Sequence, residues 1–175
     1  MKLSNKALWG PRWLTRAPAL QCRAMISFHH LDGQNVFGRS MEGRWSEGVQ
    51  PAGFEATGEM VRTDGEKDRI RLQIIDPMRL TLKSRIDVYP GESELLDIAV
   101  RLDDDQQCYG WNNETYFCST PWRNPKWQLE RGRYLVQVTV VSSGQKCVSV
   151  FRLINDGSRT DFRMELSRPE DISKI

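Results

Sequence analysis

The stretch YLVQVTVVSSGQ, residues 134–145, contains the clearest structural signal of the chain. Tyr134 and three valines alternate there with the polar residues Gln137 and Thr139. A period of two is typical of a β-strand that buries one face and exposes the other. The segment SSGQ at 142–145 has the composition of a tight hairpin loop. The stretch therefore predicts an antiparallel hairpin in a sheet with one buried face.

The same alternation recurs in both directions along the chain. It occurs in QCRAMISF (21–28), RIRLQII (69–75), RLTLK (79–83), LLDIAVRL (95–102) and DFRMEL (161–166). Turn residues punctuate these segments in LDGQ (31–34), YPGES (89–93) and NDGS (155–158). No segment shows convincing helical periodicity. The pattern predicts an all-β fold, an immunoglobulin-like antiparallel β-sandwich of about seven to nine strands in a single domain spanning 1–175.

Two long segments lie between the predicted strands. Residues 39–68 are rich in glycine and predict an irregular crossover connection, a kind of segment that is often functional. The glycines recur every fifth residue from Gly33 to Gly58, a spacing that matches no regular structure. The second segment, 106–130, is rich in aromatic residues and asparagine. Loops on a rigid sandwich commonly carry recognition, so both are candidate functional regions.

Composition excludes several classes of protein. The formal net charge of the 175-residue chain is only +2, which is no strong signal for nucleic-acid binding. No apolar run approaches the ~20 residues that span a bilayer, and the predicted location is cytoplasmic. The cysteines Cys22, Cys108, Cys118 and Cys147 form no CxxC pair, and free, mostly buried thiols are expected. A bond between Cys108 and Cys118 remains the alternative in an oxidising compartment.

Three parts of the sequence resemble a family of uncharacterised prokaryotic β-sandwich domains. They are CRAMISFHHLDGQNVFGRSMEGRWS (22–46), VYPGESELLDIAVRLDDDQQCYGWNNETY (88–116), and WRNPKWQLERGRYLVQVTV (122–140) followed by FRLINDG (151–157). The resemblance covers most of Cys22 to Phe162 and implies an immunoglobulin-like sandwich. Relatives of this type often carry the domain after membrane helices, which this sequence does not show. The resemblance implies no activity.

Catalytic signatures are absent from the sequence. The only histidines, His29 and His30, are neighbours on a predicted strand and therefore point to opposite faces. No GxSxG, GxGxxG or P-loop occurs, so the chain is predicted not to be an enzyme and to have no cofactor. The acidic run Asp103–Asp105 is interpreted as a strand-ending turn rather than a calcium site. A hydrolase with a Cys or Asp site that uses His29 or His30 remains an alternative.

The segment GWNNETYFCSTPWRNPKW, residues 110–127, contains the candidate binding residues. They are Trp111, Asn112, Asn113, Tyr116, Trp122, Arg123 and Trp127. We interpret the segment mainly as a corner closed by aromatic side chains, whose outer surface is the best-placed binding site. The predicted function is a non-enzymatic binding or scaffold module for a protein partner, which can be membrane-associated.

An alternative function follows from four places where tryptophan adjoins a basic residue. They are Arg12–Trp13, Arg44–Trp45, Trp122–Arg123 and Lys126–Trp127. An indole can stack on a base or a sugar ring while the neighbouring cation binds phosphate. This carbohydrate- or nucleotide-binding module requires several exposed, coplanar tryptophans on one surface.

Overall fold

In the computed structural model, the described residues are 1–6, 17–46, 53–61, 67–75, 85–103, 105–118, 120, 122–157 and 159–175, with main chain alone for 53–61, 67–75 and 159. These residues form fourteen strands, eight of which have four or more residues, and all their pairings are antiparallel. The predicted all-β antiparallel fold is confirmed. The predicted strand at 79–83 and the Arg12–Trp13 pair lie outside the described residues.

The strands have the following bounds. They are β1 (Lys2–Ser4), β2 (Ala19–His29), β3 (Met41–Glu42), β4 (Arg44–Trp45), β5 (Gly53–Val61), β6 (Lys67–Ile75), β7 (Arg85–Val88), β8 (Ser93–Asp97), β9 (Ala99–Val100), β10 (Cys108–Gly110), β11 (Gln128–Leu129), β12 (Gly132–Ser142), β13 (Gln145–Asn155) and β14 (Phe162–Leu166). Two short helices are α1 (Asn113–Tyr116) and α2 (Pro169–Ile172), and two 3-10 turns cover Pro125–Trp127 and Arg159–Asp161.

The chain divides into two compact units. One comprises Met1–Glu47 and Ser84–Ile175, and the other comprises Gly48–Lys83. The smaller unit contains the antiparallel hairpin of β5 and β6, paired over nine residues on each strand. The segment 39–68, which was predicted to be irregular, contains β3, β4, β5 and the first two residues of β6. Glycine lowers strand propensity, but a partner strand decides whether the main chain pairs, and β6 provides that partner for β5.

The main sheet of the larger unit contains six strands. Their order is β14-β13-β12-β2-β3, and β7 also pairs with β2. The β12–β13 hairpin runs in continuous register from Gly132–Asn155 to Ser142–Gln145. Ser143 and Gly144 between them have φ values of +45° and +82°, the left-handed conformation of a two-residue type I′ turn. This confirms the hairpin predicted from residues 134–145.

The core lies between the main sheet and two three-stranded sheets, β1-β8-β4 and β11-β10-β9. The predicted inward faces of β2 and β12 are buried, as alternation requires. Their inward residues are Cys22, Ala24, Ile26, Phe28, Tyr134, Val136, Val138 and Val140. They cluster with residues of the smaller sheets such as Trp45, Leu96 and Leu129. The larger unit therefore has a sandwich-like core.

Tyr134 connects this core to the end of the segment 106–130. Its ring is buried, and its hydroxyl donates a hydrogen bond to the main-chain oxygen of Glu130 at 2.9 Å. A tyrosine that bonds to the main chain a few residues upstream is a feature of immunoglobulin-like sandwiches. The immunoglobulin-like topology itself stays a prediction.

The outer face of the main sheet is covered at one end. Leu135 is buried although it points away from the core, and its register partner Arg152 binds the carboxylate of Asp171. The two hydrogen bonds, from Nε and Nη2, measure 2.5 and 2.7 Å, and Asp171 is completely buried. Lys174 also donates to the main-chain oxygen of Leu31. The C-terminal residues are thereby attached to the outer face.

Candidate functional site

The predicted loop 106–130 is closed at its base by two strands. Cys108 pairs with Leu129 and Tyr109 with Gln128, so β10 and β11 form a short ladder. Between them the chain forms α1 and the 3-10 turn at Pro125–Trp127. The described residues of the segment therefore form an excursion from the sandwich that carries all seven predicted binding residues.

Asn155, at the end of β13, connects the two ends of this segment. Its amide nitrogen donates to the main-chain oxygens of Gln106 at 2.9 Å and Glu130 at 3.4 Å. Its side-chain oxygen accepts a 2.9 Å hydrogen bond from Arg101, and the residue is fully buried. Sequence reasoning treated Asn155 only as part of the NDGS turn. No local signal indicates its role, because its partners lie 25 to 54 residues away.

Asn112 and Thr115 stabilise α1 and the residues just before it through buried hydrogen bonds. The Asn112 side chain caps α1 by accepting a 2.8 Å hydrogen bond from the main-chain nitrogen of Thr115. The Thr115 hydroxyl donates to the main-chain oxygen of Gly110 at 2.7 Å. Both side chains are buried. Asn112 was predicted to contact a partner, but it is buried and serves as a helix cap.

Arg44, on β4, contacts the first and last residues of α1. Its guanidinium donates to the side-chain oxygen of Asn113 at 2.8 Å and lies 4.1 Å from the centre of the Tyr116 ring. Arg44 is 6% exposed, so it contacts these side chains rather than solvent. A buried guanidinium over an aromatic ring is a strong stabilising contact. Sequence reasoning grouped Arg44 with Trp45 and missed this role.

Three predicted residues form a connected aromatic surface, which we call the Trp122 surface: Trp122, Trp111 and Tyr116. The ring centres of Trp122 and Trp111 are 6.1 Å apart, and those of Trp111 and Tyr116 are 5.8 Å apart. The two contacts are edge-to-face, at interplanar angles of 69° and 83°. Trp122 is 45% exposed, whereas Trp111 and Tyr116 are half-buried. Trp122 is thus the most exposed of three aromatic residues in which the ring of Trp111 contacts the other two.

The main chain of Trp122 is strained. Its φ is +61°, in the left-handed region that bulky residues rarely occupy. Such outliers persist only where surrounding contacts fix them, and they cluster at functional sites. The edge-to-face contact with Trp111 is one such contact.

Trp127 lies inside the sandwich instead of on this surface. It is 3% exposed, and its ring packs edge-on against Phe37 at 5.2 Å. Arg39 lies 4.9 Å from the ring centre, and the indole N–H donates to Glu114 at 2.9 Å. Trp127 was predicted to contact a partner, but burial excludes it from direct contact with one. The burial of Trp127 agrees with the interpretation of residues 110–127 as a corner closed by aromatic side chains.

The basic residues of the segment already have acidic partners. Arg123 is ion-paired with Asp105 at 2.8 Å, and Lys126 with Glu114 at 2.5 Å. The hydrogen bond from Lys126, aided by that from Trp127, lowers the pKa of Glu114. Asp105 also takes part in a turn, since its N–H donates to Leu102, as predicted for the acidic run. The charges around the Trp122 surface are therefore largely neutralised.

In the described part of the chain, neither histidine is hydrogen-bonded to a cysteine or a carboxylate. His29 is hydrogen-bonded to the Ser27 hydroxyl and to the main-chain oxygen of Gly33, both at 2.9 Å, and His30 is exposed. All four cysteines are free, as expected, although only Cys22 and Cys108 are buried. Burial raises the pKa of Cys108 to about 12, which makes it a poor nucleophile at neutral pH. Among the described residues, no three His, Cys, Asp or Glu side chains are arranged to hold a metal ion.

Iodide quenching of fluorescence tests the exposure of the tryptophans. Replacement of Trp122 by phenylalanine is expected to lower the quenching constant, because Trp122 is the most exposed of the four tryptophans in the described residues. Trp127→Phe serves as the matched control and should leave iodide quenching of the remaining tryptophans unreduced. A lower constant in the Trp127 variant alone would contradict the assigned exposures.

Comparisons with known proteins assign no family to this chain. Within the described residues, no helix has the length and apolar character required to cross a bilayer. The chain matches no protein-family model, no curated protein and no solved structure among those compared with it.

Proposed function

We propose that this chain is a non-enzymatic module that binds a protein partner through the Trp122 surface. The observation that carries the proposal is a large, half-exposed indole that has a strained main-chain conformation and contacts Trp111, which in turn contacts Tyr116. Binding hot spots in protein interfaces are enriched in tryptophan and tyrosine. Prior fixing of the anchor side chain lowers the entropy lost on association.

A cleft beside the Trp122 surface favours a partner with apolar side chains. The cleft has a volume of about 410 Å³ and shares Trp111 with the Trp122 surface. Its wall also includes Val100, Phe162 and Met164, with Asp97 and Arg163 as charged members. An apolar recess beside an exposed anchor residue allows each of two proteins to insert a side chain into the other. We retain the immunoglobulin-like topology in this proposal because of the Tyr134 contact with Glu130.

The carbohydrate or nucleotide alternative receives less support. Trp111 and Trp122 meet edge-to-face, so together they present no flat platform for a ring to stack on. The cations beside the described tryptophans are engaged: Arg44 by Asn113, Arg123 by Asp105 and Lys126 by Glu114. Binding of a phosphate would require one of these contacts to open.

The test uses the whole chain as bait in extracts of its native host, with soluble and detergent-solubilised membrane fractions assayed separately. Proteins recovered by the wild type are compared with those recovered by Trp122→Ala. Tyr89→Ala is the matched control, because Tyr89 is an exposed aromatic residue on a separate turn. The proposal expects a protein that is lost only in the Trp122 variant.

A direct measurement then follows with that protein purified. Calorimetry is expected to show binding weakened at least about 30-fold by Trp122→Ala, as for a hot-spot residue. Tyr89→Ala should bind with wild-type affinity. Equal recovery and equal affinity for all three proteins, with folding confirmed by circular dichroism, would exclude the Trp122 surface as the binding site.

A further inference from the structure

Strand β14 forms one edge of the six-stranded sheet. Within the described part of the chain it pairs only with β13, in register from Phe151–Leu166 to Asn155–Phe162. The other edge of β14 therefore leaves main-chain N–H and C=O groups without a partner strand among those residues. Such an edge is a ready template for an added strand.

Three of the five side chains of β14 are exposed, namely Arg163, Glu165 and Leu166. Leu166 is 81% exposed although it shares the inward-facing side of β14 with Phe162 and Met164, which are half-buried. Arg163 and Glu165 lie on the opposite side, 48% and 45% exposed, and form an ion pair of 2.8 Å with each other. An exposed leucine on an inward-facing row indicates a surface that a further strand would cover.

The five residues FRMEL are complementary to themselves in antiparallel orientation. If two copies of β14 pair about a twofold axis at Met164, Phe162 lies opposite Leu166 of the other copy. In the same register Arg163 lies opposite Glu165, twice per dimer, while Met164 lies opposite itself. Cross-strand apolar pairs and opposite charges stabilise antiparallel strands.

We propose that two copies of this chain associate through their β14 edges in this register. Charged residues on an edge commonly prevent pairing of strands. Here each charge meets its opposite, so the charges select one register instead of blocking association. The pairing is short, and a weak dimer in reversible equilibrium with the monomer is expected. This inference does not use Trp122, although Phe162, Arg163 and Met164 of β14 also line the cleft beside the Trp122 surface.

Sedimentation equilibrium over a range of protein concentrations tests the proposal. Arg163→Glu places glutamate opposite Glu165, and Glu165→Arg places arginine opposite Arg163. Each single variant is expected to weaken the association constant at least about tenfold, because two like-charge contacts replace two favourable ones. An equimolar mixture of the two variants should regain the wild-type constant as a heterodimer. The double variant should regain it as a homodimer.

Arg23→Glu is the matched control. Arg23 forms an exposed ion pair with Glu42 at 2.8 Å, and its strand β2 is separated from β14 by β12 and β13. This variant should associate like the wild type, and thermal unfolding checks that every variant is folded. A wild type that stays monomeric throughout would overturn the proposal. So would undiminished association of the single variants, or no recovery in their mixture.

Discussion

Trp127→Ala is expected to lower the free energy of unfolding by about 4 kcal/mol. The substitution removes a buried indole that contacts Phe37 and Arg39, together with its hydrogen bond to Glu114. Large aromatic residues replaced by alanine in a core cost about 3–5 kcal/mol, because transfer free energy is lost and a cavity remains. Urea unfolding followed by circular dichroism measures the change. For a chain of this size, a fall of about 10 °C in Tm should accompany it.

Trp122→Ala provides the contrast within the same segment. Its indole is half-exposed, so its removal is expected to cost less than about 1 kcal/mol. Alanine keeps a Cβ, so the main-chain strain at this position is not relieved. The two substitutions thus separate a residue that holds the corner together from one that is available to a partner. Equal losses of stability in both variants would contradict this division of roles.

Asp171→Asn is expected to destabilise the larger unit by about 3 kcal/mol. Asp171 is completely buried and receives two hydrogen bonds from Arg152 and one from the main-chain N–H of Arg168. Asparagine keeps the shape but leaves the Arg152 charge without its counter-ion. Removal of one member of a buried pair costs more than the pair contributes, because the remaining charge stays desolvated. The free energy of unfolding from urea titrations at neutral pH gives the difference.

The pH dependence follows from the same contact. The hydrogen bonds from Arg152 lower the pKa of Asp171 from 3.8 to about 2 in the folded chain. The folded state therefore binds the proton less readily than the unfolded state, and stability from this group is complete above pH 3.8. It is lost as the pH falls towards about 2. The difference between wild type and Asp171→Asn should consequently shrink across this interval.

A surface ion pair serves as the control for both measurements. Asp156 binds Arg133 with side chains that are 32% and 59% exposed, so Asp156→Asn is expected to cost less than about 1 kcal/mol. If this variant loses as much stability as Asp171→Asn, burial does not explain the effect. If the Asp171 difference stays constant down to pH 2, the lowered pKa is wrong.

The sequence predicts one surface for seven candidate residues, and the structure separates these residues into exposed and buried ones. Trp111, Tyr116 and Trp122 do come together, because all three belong to one short excursion between β10 and β11. Asn112 and Trp127 were assigned to the same surface, yet both are buried. Residue type and spacing do not distinguish these outcomes, since an exposed and a buried tryptophan have the same sequence signature.

The amino-acid sequence by itself determined the faces of the long strands and the β12–β13 hairpin. Both follow from local geometry: side chains alternate along a strand, and Ser143–Gly144 accept the left-handed turn. Only the tertiary structure decided the roles of Arg44, Asn155 and Asp171. Arg44 binds Asn113 across 69 positions and Asn155 binds Arg101 across 54, whereas Asp171 is fixed by a strand 19 residues earlier. A polar side chain is buried or exposed according to the groups that surround it, and those groups come from distant parts of the chain.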